Sequence, residues 1–472
     1  MQRAVIRSFA GTFLVAVWLI VPAIHASAST ASIDSPSNGD TVASTFDVSG
    51  SISPDVVGEA WSLTVCNSNI NNTYTIATTA DPTPFDLTVT PGVKGACSIE
   101  LRDPLNNLAA SIMVQVSPPC KVTVPSGGDI QSALAANPGG VVCLQPGGSY
   151  SPAGSLKPSA STTLLTPSNS VATIHCASGK TVDCIYARTV SGITVEDVDI
   201  ESPSPPGRDG INAGPGATIG PNVRISGAGR MGVMISTVAN VTLFDSTLVN
   251  NATNCSAYGG LGYCSSVKGN TANGVQIFGN TITGSPSKGV WLDINTKNWL
   301  VSNNILTNNV DGGIRIEISC FGTVSGNTLT GSSNALRLVN SNNVSIDSNT
   351  VAGGATGIAF FANGRTTGAS GAGDGSCASQ NPGSPQPAGT YYYNFANAAT
   401  NNGVSTTSKT LDGFWTQRTK VAGLTFGDSF QGTNYTGGQC GTTHWQYWDT
   451  SLSDLTFAGW QGKAEDTSGS CA

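Results

Sequence analysis

The amino-acid sequence predicts an all-β chain: a right-handed parallel β-helix preceded by a small β-sandwich. Three observations lead there. First, one pattern recurs between Ile193 and Gly357: apolar–x–apolar–x–x–Asn–x–apolar, a polar turn, then Gly–apolar–x–apolar. Val275–Ile282, Leu300–Leu306, Val324–Leu329 and Val344–Val351 show it most clearly. Second, its Asn position falls at Asn222, Ser246, Asn280, Asn304, Asn327 and Asn349, at spacings of 24, 34, 24, 23 and 22 residues. The long step contains an insertion bounded by Cys255 and Cys264, and subtracting it restores the period. A fixed period of this size marks stacked units whose apolar faces are buried only by their neighbours. Third, alternation within each unit makes the units strands.

Composition fits. Charged residues are 10 % of the 472, and Gly reaches 57, as expected of many tight turns and stacked neutral side chains. Residues 1–28 read as a secretory signal: Arg3 and Arg7, an apolar run from Phe9 to Ile24, then Ala26-Ser27-Ala28. No second apolar run reaches membrane-spanning length, so a secreted or cell-surface protein without a membrane span is expected once the signal is removed. Cleavage takes the net charge from −7 to −9, and no basic stripe offers a nucleic-acid surface. A monomer is expected.

Twelve cysteines in an exported chain argue for disulfide bonds. Local spacing favours Cys66–Cys97, Cys120–Cys143, Cys176–Cys184 and Cys255–Cys264; the pairing of Cys320, Cys377, Cys440 and Cys471 stays open. Only His175 and His444 follow the signal, which disfavours histidine-based triads and zinc sites.

Residues 30–117 carry short β-rich runs at sandwich spacing: 41–48, 61–66, 73–78, 85–89, 97–101 and 111–116. Ser117-Pro118-Pro119 is a linker. Val122–Pro125, Ile130–Leu134 and Val141–Leu144 read as strand, short helix, strand, a cap on the first coil. Coils follow, so the β-helix with its cap spans 120–363. Residues 364–390 form a Gly/Ser/Pro-rich loop, and 391–472 an aromatic C-terminal cap region containing Trp415, Trp445, Trp448 and Trp460. The Asn column is expected to be structural, stacking along the axis and satisfying turn backbone.

Chemistry is expected on the strands after the turns. In Gly289–Asn295, alternation points Val290, Leu292 and Ile294 inward and Trp291, Asp293 and Asn295 outward. The next coil exposes Arg315, Glu317 and Ser319, and the following one Arg337. One coil earlier, Lys268 lands within about one residue of the Asp293 column. Lys268, Asp293 and Glu317 would then be vertical neighbours about 4.8 Å apart. Stacked carboxylates can divide acid and base roles, and their separation distinguishes retaining from inverting hydrolysis. Lys268 and Arg315 could hold a uronate carboxylate or, for one of them, serve as the base of a β-elimination. The plainer alternative is a structural ion-pair ladder.

Trp291-Leu292-Asp293-Ile294-Asn295, then Ile316-Glu317-Ile318-Ser319, with Lys268 one coil before, resembles secreted bacterial proteins of the pectate-lyase-like superfamily. The likeness spans roughly 120–470, and Ile33–Gly39 with Pro84-Phe85 resembles bacterial immunoglobulin-like modules. The resemblance implies polysaccharide lyase, hydrolase or epimerase chemistry on an outward parallel sheet. The Asp-Pro-His-Asp signature of alginate epimerases is absent, which counts against epimerisation. The expected function is cleavage of a polysaccharide, uronate-containing or not. Asp293 and Glu317 would be the acid/base pair, Lys268 and Arg315 would hold or deprotonate the sugar, and Trp291, Asn295 and Arg337 would bind substrate. The rival is a non-catalytic glycan-binding or adhesin-like surface protein. No cofactor is required, although Glu196, Asp197, Asp199 and Glu201 form an acidic cluster that calcium would suit; solvated surface charge is its plainer reading.

Overall fold

The computed structural model describes residues 30–362 apart from short stretches at 43–45, 55, 67–72, 90–94, 117–118, 168–170 and 204–205. Beyond 362 it describes Cys377 and the segments 398–400, 402–405, 410–416, 429–431, 434–435, 445–448, 452–455 and 470–471. The expected signal at 1–28 lies outside the described residues, as does most of the expected loop and aromatic cap region.

The chain divides into two compact units near Val116. The N-terminal unit consists of two antiparallel sheets. In one, Phe46–Ser53 lies between Thr30–Ser35 and Thr83–Val89. In the other, Gly95–Arg102 is flanked by Leu108–Val116 and Ala60–Val65, with Thr73–Ala77 at the edge. Alternation buries Trp61, Leu63 and Val65 on one face of their strand, and a Cys66–Cys97 disulfide ties that strand to its neighbour.

The second unit is a parallel β-solenoid. Every third strand returns to the same sheet, giving three sheets of 12, 12 and 11 strands. Successive coils are neighbours in the hydrogen-bonding direction, so the sequence period becomes a vertical repeat of about 4.8 Å. The interior holds one apolar stack, in which Ile277, Ile282, Val290 and Leu292 of one coil sit under Val301, Leu306, Ile314 and Ile316 of the next. The predicted strand–helix–strand opening is present as Val122–Val124, the helix Ile130–Ala136 and Val141–Leu144. Asp129 caps that helix by accepting from the Ser132 N–H at 3.0 Å, and Ile130 and Leu134 join the core. Parallel pairing continues past 363: Ala398–Thr400, Gly403–Ser405 and Thr410–Thr416 extend the three sheets. Among the described residues, no helix is long and apolar enough to cross a membrane.

Two polar columns run up the corner between the first and second sheets. Asp197, Asn222, Asp245, Gly279, Asn303, Gly326 and Ser348 all take left-handed backbone, with φ between 43° and 69°; the corner demands it, and Asn, Asp and Gly pay least for it. Beside them stands the Asn ladder. The Asn304 Oδ1 accepts from the Asn280 backbone N–H at 3.0 Å and from its side-chain Nδ2 at 2.9 Å. Asn327, Asn349 and Asn402 repeat that geometry. The ladder begins at Ser246, whose N–H donates to the Asn280 Oδ1. Asn222 does not belong to it: Arg224 registers with Thr247, which places Val223 under Ser246 and puts Asn222 in the left-handed column.

Cys120–Cys143 and Cys176–Cys184 pair as expected, and Cys320 pairs with Cys377. Cys255 and Cys264 do not: they are buried free thiols, with the Cys255 sulfur 3.0 Å from the Ala252 carbonyl oxygen.

Candidate functional site

The third sheet carries the predicted residues. Its strands Ser265–Asn270, Lys288–Asp293, Gly312–Glu317 and Asn334–Val339 are consecutive. Asp293 registers with Glu317, as expected. Lys268 does not share their column: it registers with Trp291, which registers with Arg315, which registers with Arg337. The residue level with Asp293 is Asn270. The cause is local. At the corner after Asp293 the backbone takes two left-handed residues, Ile294 (φ 37°) and Asn295 (φ 60°). This lengthens the coil by one residue before Asn304, so counting back from the Asn ladder misplaces Lys268. The Thr271 N–H marks the irregularity by donating to both the Asp293 and the Ile294 carbonyls, at 3.3 and 2.8 Å.

Two adjacent columns therefore face outward: Lys268–Trp291–Arg315–Arg337 and Asn270–Asp293–Glu317–Val339. Their long side chains close over one another. The Lys268 Nζ lies 3.0 Å from the Asp293 Oδ2 and 3.2 Å from the Trp291 ring centroid. The Arg315 Nε lies 2.8 Å from the Glu317 Oε2, and its guanidinium carbon 5.6 Å from the same ring. Trp291 is thus roofed by cations and 4 % exposed, rather than an open stacking wall. Asp293 is 5 % exposed and Glu317 0 %. The expected outward ladder is present, but buried. Burial lowers the Lys268 pKa, against the pull of Asp293.

Strand alternation also ends earlier than expected. Ile294 is half-buried at the corner instead of joining the core, and Asn295 lies beyond the strand. Ser319 is buried, with its hydroxyl donating to the Glu317 carbonyl at 2.9 Å. After Glu317 the chain repeats the left-handed step at Ile318 (φ 47°). A β-branched residue in that region is a true outlier costing about 1–3 kcal/mol. Here it occurs directly after both carboxylates. Cys377 packs at the same corner, its disulfide sulfur 3.9 Å from the Thr296 carbonyl oxygen.

Two further groups escaped the sequence reading. Lys288, 2 % exposed, holds the insertion on the sheet. Its Nζ donates to the Leu261 carbonyl at 2.7 Å, pairs with Asp311 at 2.6 Å, and lies 4.7 Å from the Trp291 ring. The Ser287 hydroxyl lies within hydrogen-bond distance of the Leu261 and Cys264 carbonyls, at 3.0 and 2.7 Å. Towards the N-terminal end, Arg208 bonds both carboxylate oxygens of Asp183 at 2.7 and 2.6 Å, and Arg230 pairs with Asp209. Burial raises Asp209 to about 6, opposed by Arg230. The legible signal was spacing: Asp183 to Asp209 and Arg208 to Arg230 are each near one coil apart.

The acidic cluster at 196–201 does not converge. Thr194–Glu196 belongs to the first sheet and Val198–Glu201 to the second, with Asp197 at the corner between them. Glu201 lies 3.1 Å from Arg224 and 3.5 Å from His175. Among the described residues, no group of three or more His, Cys, Asp or Glu is placed to hold a metal ion, so the calcium expectation has no ligand set here.

Residues 183–367 match the family model described as a right handed beta helix region. No curated protein matches the chain. Similar solved structures include the A-module of a mannuronan C-5 epimerase from Azotobacter vinelandii. It is 15 % identical at a TM-score of 0.42, over 69 % of this chain and 96 % of that one. A surface adhesin of Streptococcus pneumoniae is 12 % identical at 0.41, over 69 % and 88 %. The catalytic unit of an alpha-1,3-glucanase from Streptomyces thermodiastaticus is 14 % identical at 0.42, over 92 % and 87 %.

Proposed function

Starting from a chain whose central coils match the right-handed β-helix region, we propose an exported, polysaccharide-active protein that cleaves an acidic or neutral polysaccharide on the outward face of its third sheet. The observation that carries this reading is the pair Asp293 and Glu317. They stand in register on consecutive coils, each paired to its own cation and each followed by a left-handed isoleucine. Backbone strain held beside paired carboxylates is the kind of cost that functional sites retain. In this reading Asp293 and Glu317 exchange the proton. Lys268, whose depressed pKa favours a neutral amine more than usual, is the base if the reaction is an elimination. Arg315 holds the sugar's anionic group, and Asn295 and Arg337 contact the sugar. The N-terminal unit is read as an immunoglobulin-like spacer, and the disulfides fit export.

A second reading, glycan binding without turnover, is favoured by one observation: Glu317 is 0 % exposed, so substrate reaches it only after the groups packed over it move.

The test uses the purified mature protein on a panel of acidic and neutral polysaccharides, following unsaturated-product absorbance and reducing ends in parallel. Cleavage is expected to fall at least about a hundredfold in Asp293→Asn and Glu317→Gln. Absorbance gain identifies elimination, and reducing ends alone identify hydrolysis. Undiminished turnover in both variants removes this site, whereas binding without turnover on any polysaccharide selects the second reading.

A further inference from the structure

A shallow pocket opens at the upper end of the site, lined by Lys288, Asp311, Gly312, Arg315, Asn334 and Arg337. Its charges do not balance. Lys288 has Asp311 at 2.6 Å and Arg315 has Glu317 at 2.8 Å. Arg337 has no carboxylate within ion-pair distance and no hydrogen bond among the described residues. Its guanidinium instead lies over the Phe361 ring, 4.1 Å from the centroid. It also stands in register with Arg315 on the adjacent strand, and like charges directly opposite each other in a sheet are destabilising. Burial and the neighbouring Arg315 both push its pKa down.

A half-buried guanidinium offers five fixed donors suited to a flat oxyanion. The aromatic ring beneath fixes its plane without consuming a donor. Gly312 stands between Lys288 and Asn334 and contributes no side chain to fill the space; a Cβ there would meet the Asn334 carbonyl oxygen at 3.2 Å. An anion seated here would neutralise Arg337 and separate it electrostatically from Arg315.

We propose that Arg337, laid on Phe361 beside Arg315, Lys288 and Asn334, is the seat of an oxyanion carried by the glycan, either a uronate carboxylate or a sulfate ester. This rests on the polysaccharide reading above and extends it: the anionic group sits about one strand spacing beyond Glu317 along the solenoid axis. The sugar chain therefore runs across the coils rather than along a strand.

Calorimetric titration tests it with three sets of oligosaccharides of equal length: uronate-containing, sulfated neutral, and unmodified neutral. The proteins are the unaltered chain, Arg337→Gln, and Lys180→Gln as a charge-matched control at an exposed position away from the site. The expected result is that one anionic set binds and that Arg337→Gln weakens it at least about tenfold. Lys180→Gln should leave it unchanged, and the salt dependence should shrink only in Arg337→Gln. Loss confined to the uronate set names the carboxylate, and loss confined to the sulfated set names the ester. Because Arg337 makes no ion pair, Arg337→Gln should melt no lower than the unaltered chain. Equal affinity in Arg337→Gln, or a lowered melting temperature with equal affinity, overturns the inference. So does an unaltered chain that prefers neither anionic set to the neutral one. Turnover of a neutral polysaccharide in the assay above would stand despite that failure, and anion binding without turnover would keep this site while removing the cleavage reading.

Discussion

Asn304→Ala removes one rung of the ladder that holds consecutive coils together, and its cost can be worked from the bonds it breaks. The Asn304 Oδ1 accepts from the Asn280 N–H and Nδ2, and its own Nδ2 donates to the Ile277 carbonyl at 2.9 Å. Asn304 and Asn280 are each 1 % exposed, so water does not replace what is lost. The Asn280 amide has other acceptors in the Leu243 and Phe278 carbonyls, and the Asn327 Oδ1 keeps the Asn304 backbone N–H. The damage therefore falls chiefly on the Asn280 N–H, because the Ile277 carbonyl keeps its place in the parallel ladder with the next coil. One buried N–H stripped of its partner costs about 1–3 kcal/mol. Urea denaturation measures the total, and amide hydrogen exchange locates it, because solenoids open coil by coil. The Asn280 N–H should lose protection while amides three coils away keep theirs. A cost below about 0.5 kcal/mol with unchanged exchange would refute the view that side-chain amides secure the stack.

Two more outcomes are expected. Burial raises the Asp197 carboxyl to about 6, above the ordinary 3.8 and against the hydrogen bond from Asn222. The folded state thus binds more protons than the unfolded one between those values, and stability falls as pH rises through that window. Asp197→Asn should abolish that slope and gain roughly 1 kcal/mol at pH 7 once screening is allowed for; an unchanged pH profile of urea midpoints would contradict this. Ile294→Asn should relieve the left-handed strain and raise stability by about 1 kcal/mol. It should also lower polysaccharide turnover by loosening the corner that fixes Asp293, whose Oδ1 accepts from the residue 294 N–H at 2.9 Å. A more stable protein with full turnover would detach the strain from function.

The solenoid was legible because its physics is local and repeated: the same core alternation and the same corner polarity recur every 22–24 residues outside the insertion. The Asp293–Glu317 register followed from that repetition. Lys268 was misplaced because a single additional corner residue in one coil leaves no compositional trace. Asn222 was misplaced for the opposite reason. Two adjacent corner columns both favour Asn, one for its tolerance of positive φ and the other for its amide, and residue type alone does not separate them. The closed state of the site was also beyond a pattern argument. Alternation says that Trp291 points outward, but not that Lys268, Lys288 and Arg315 fold back over it. Lys288 went unnoticed because its partners come from the insertion and from the next coil, neither of which shares its strand.

The Asn ladder is vectorial. Each Asn oxygen serves the coil before it, so a coil's polar groups are completed only by its successor. During synthesis and export, the newest coil is always one rung short, and its amide waits on the next 22–24 residues. Deleting coils from the carboxyl end exposes an incomplete rung each time, whereas trimming from the amino end removes a donor to the next Asn oxygen and one carbonyl acceptor of its Nδ2, which keeps the oxygen of the Asn beyond it. Growth and erosion of this molecule are therefore unequal at its two ends.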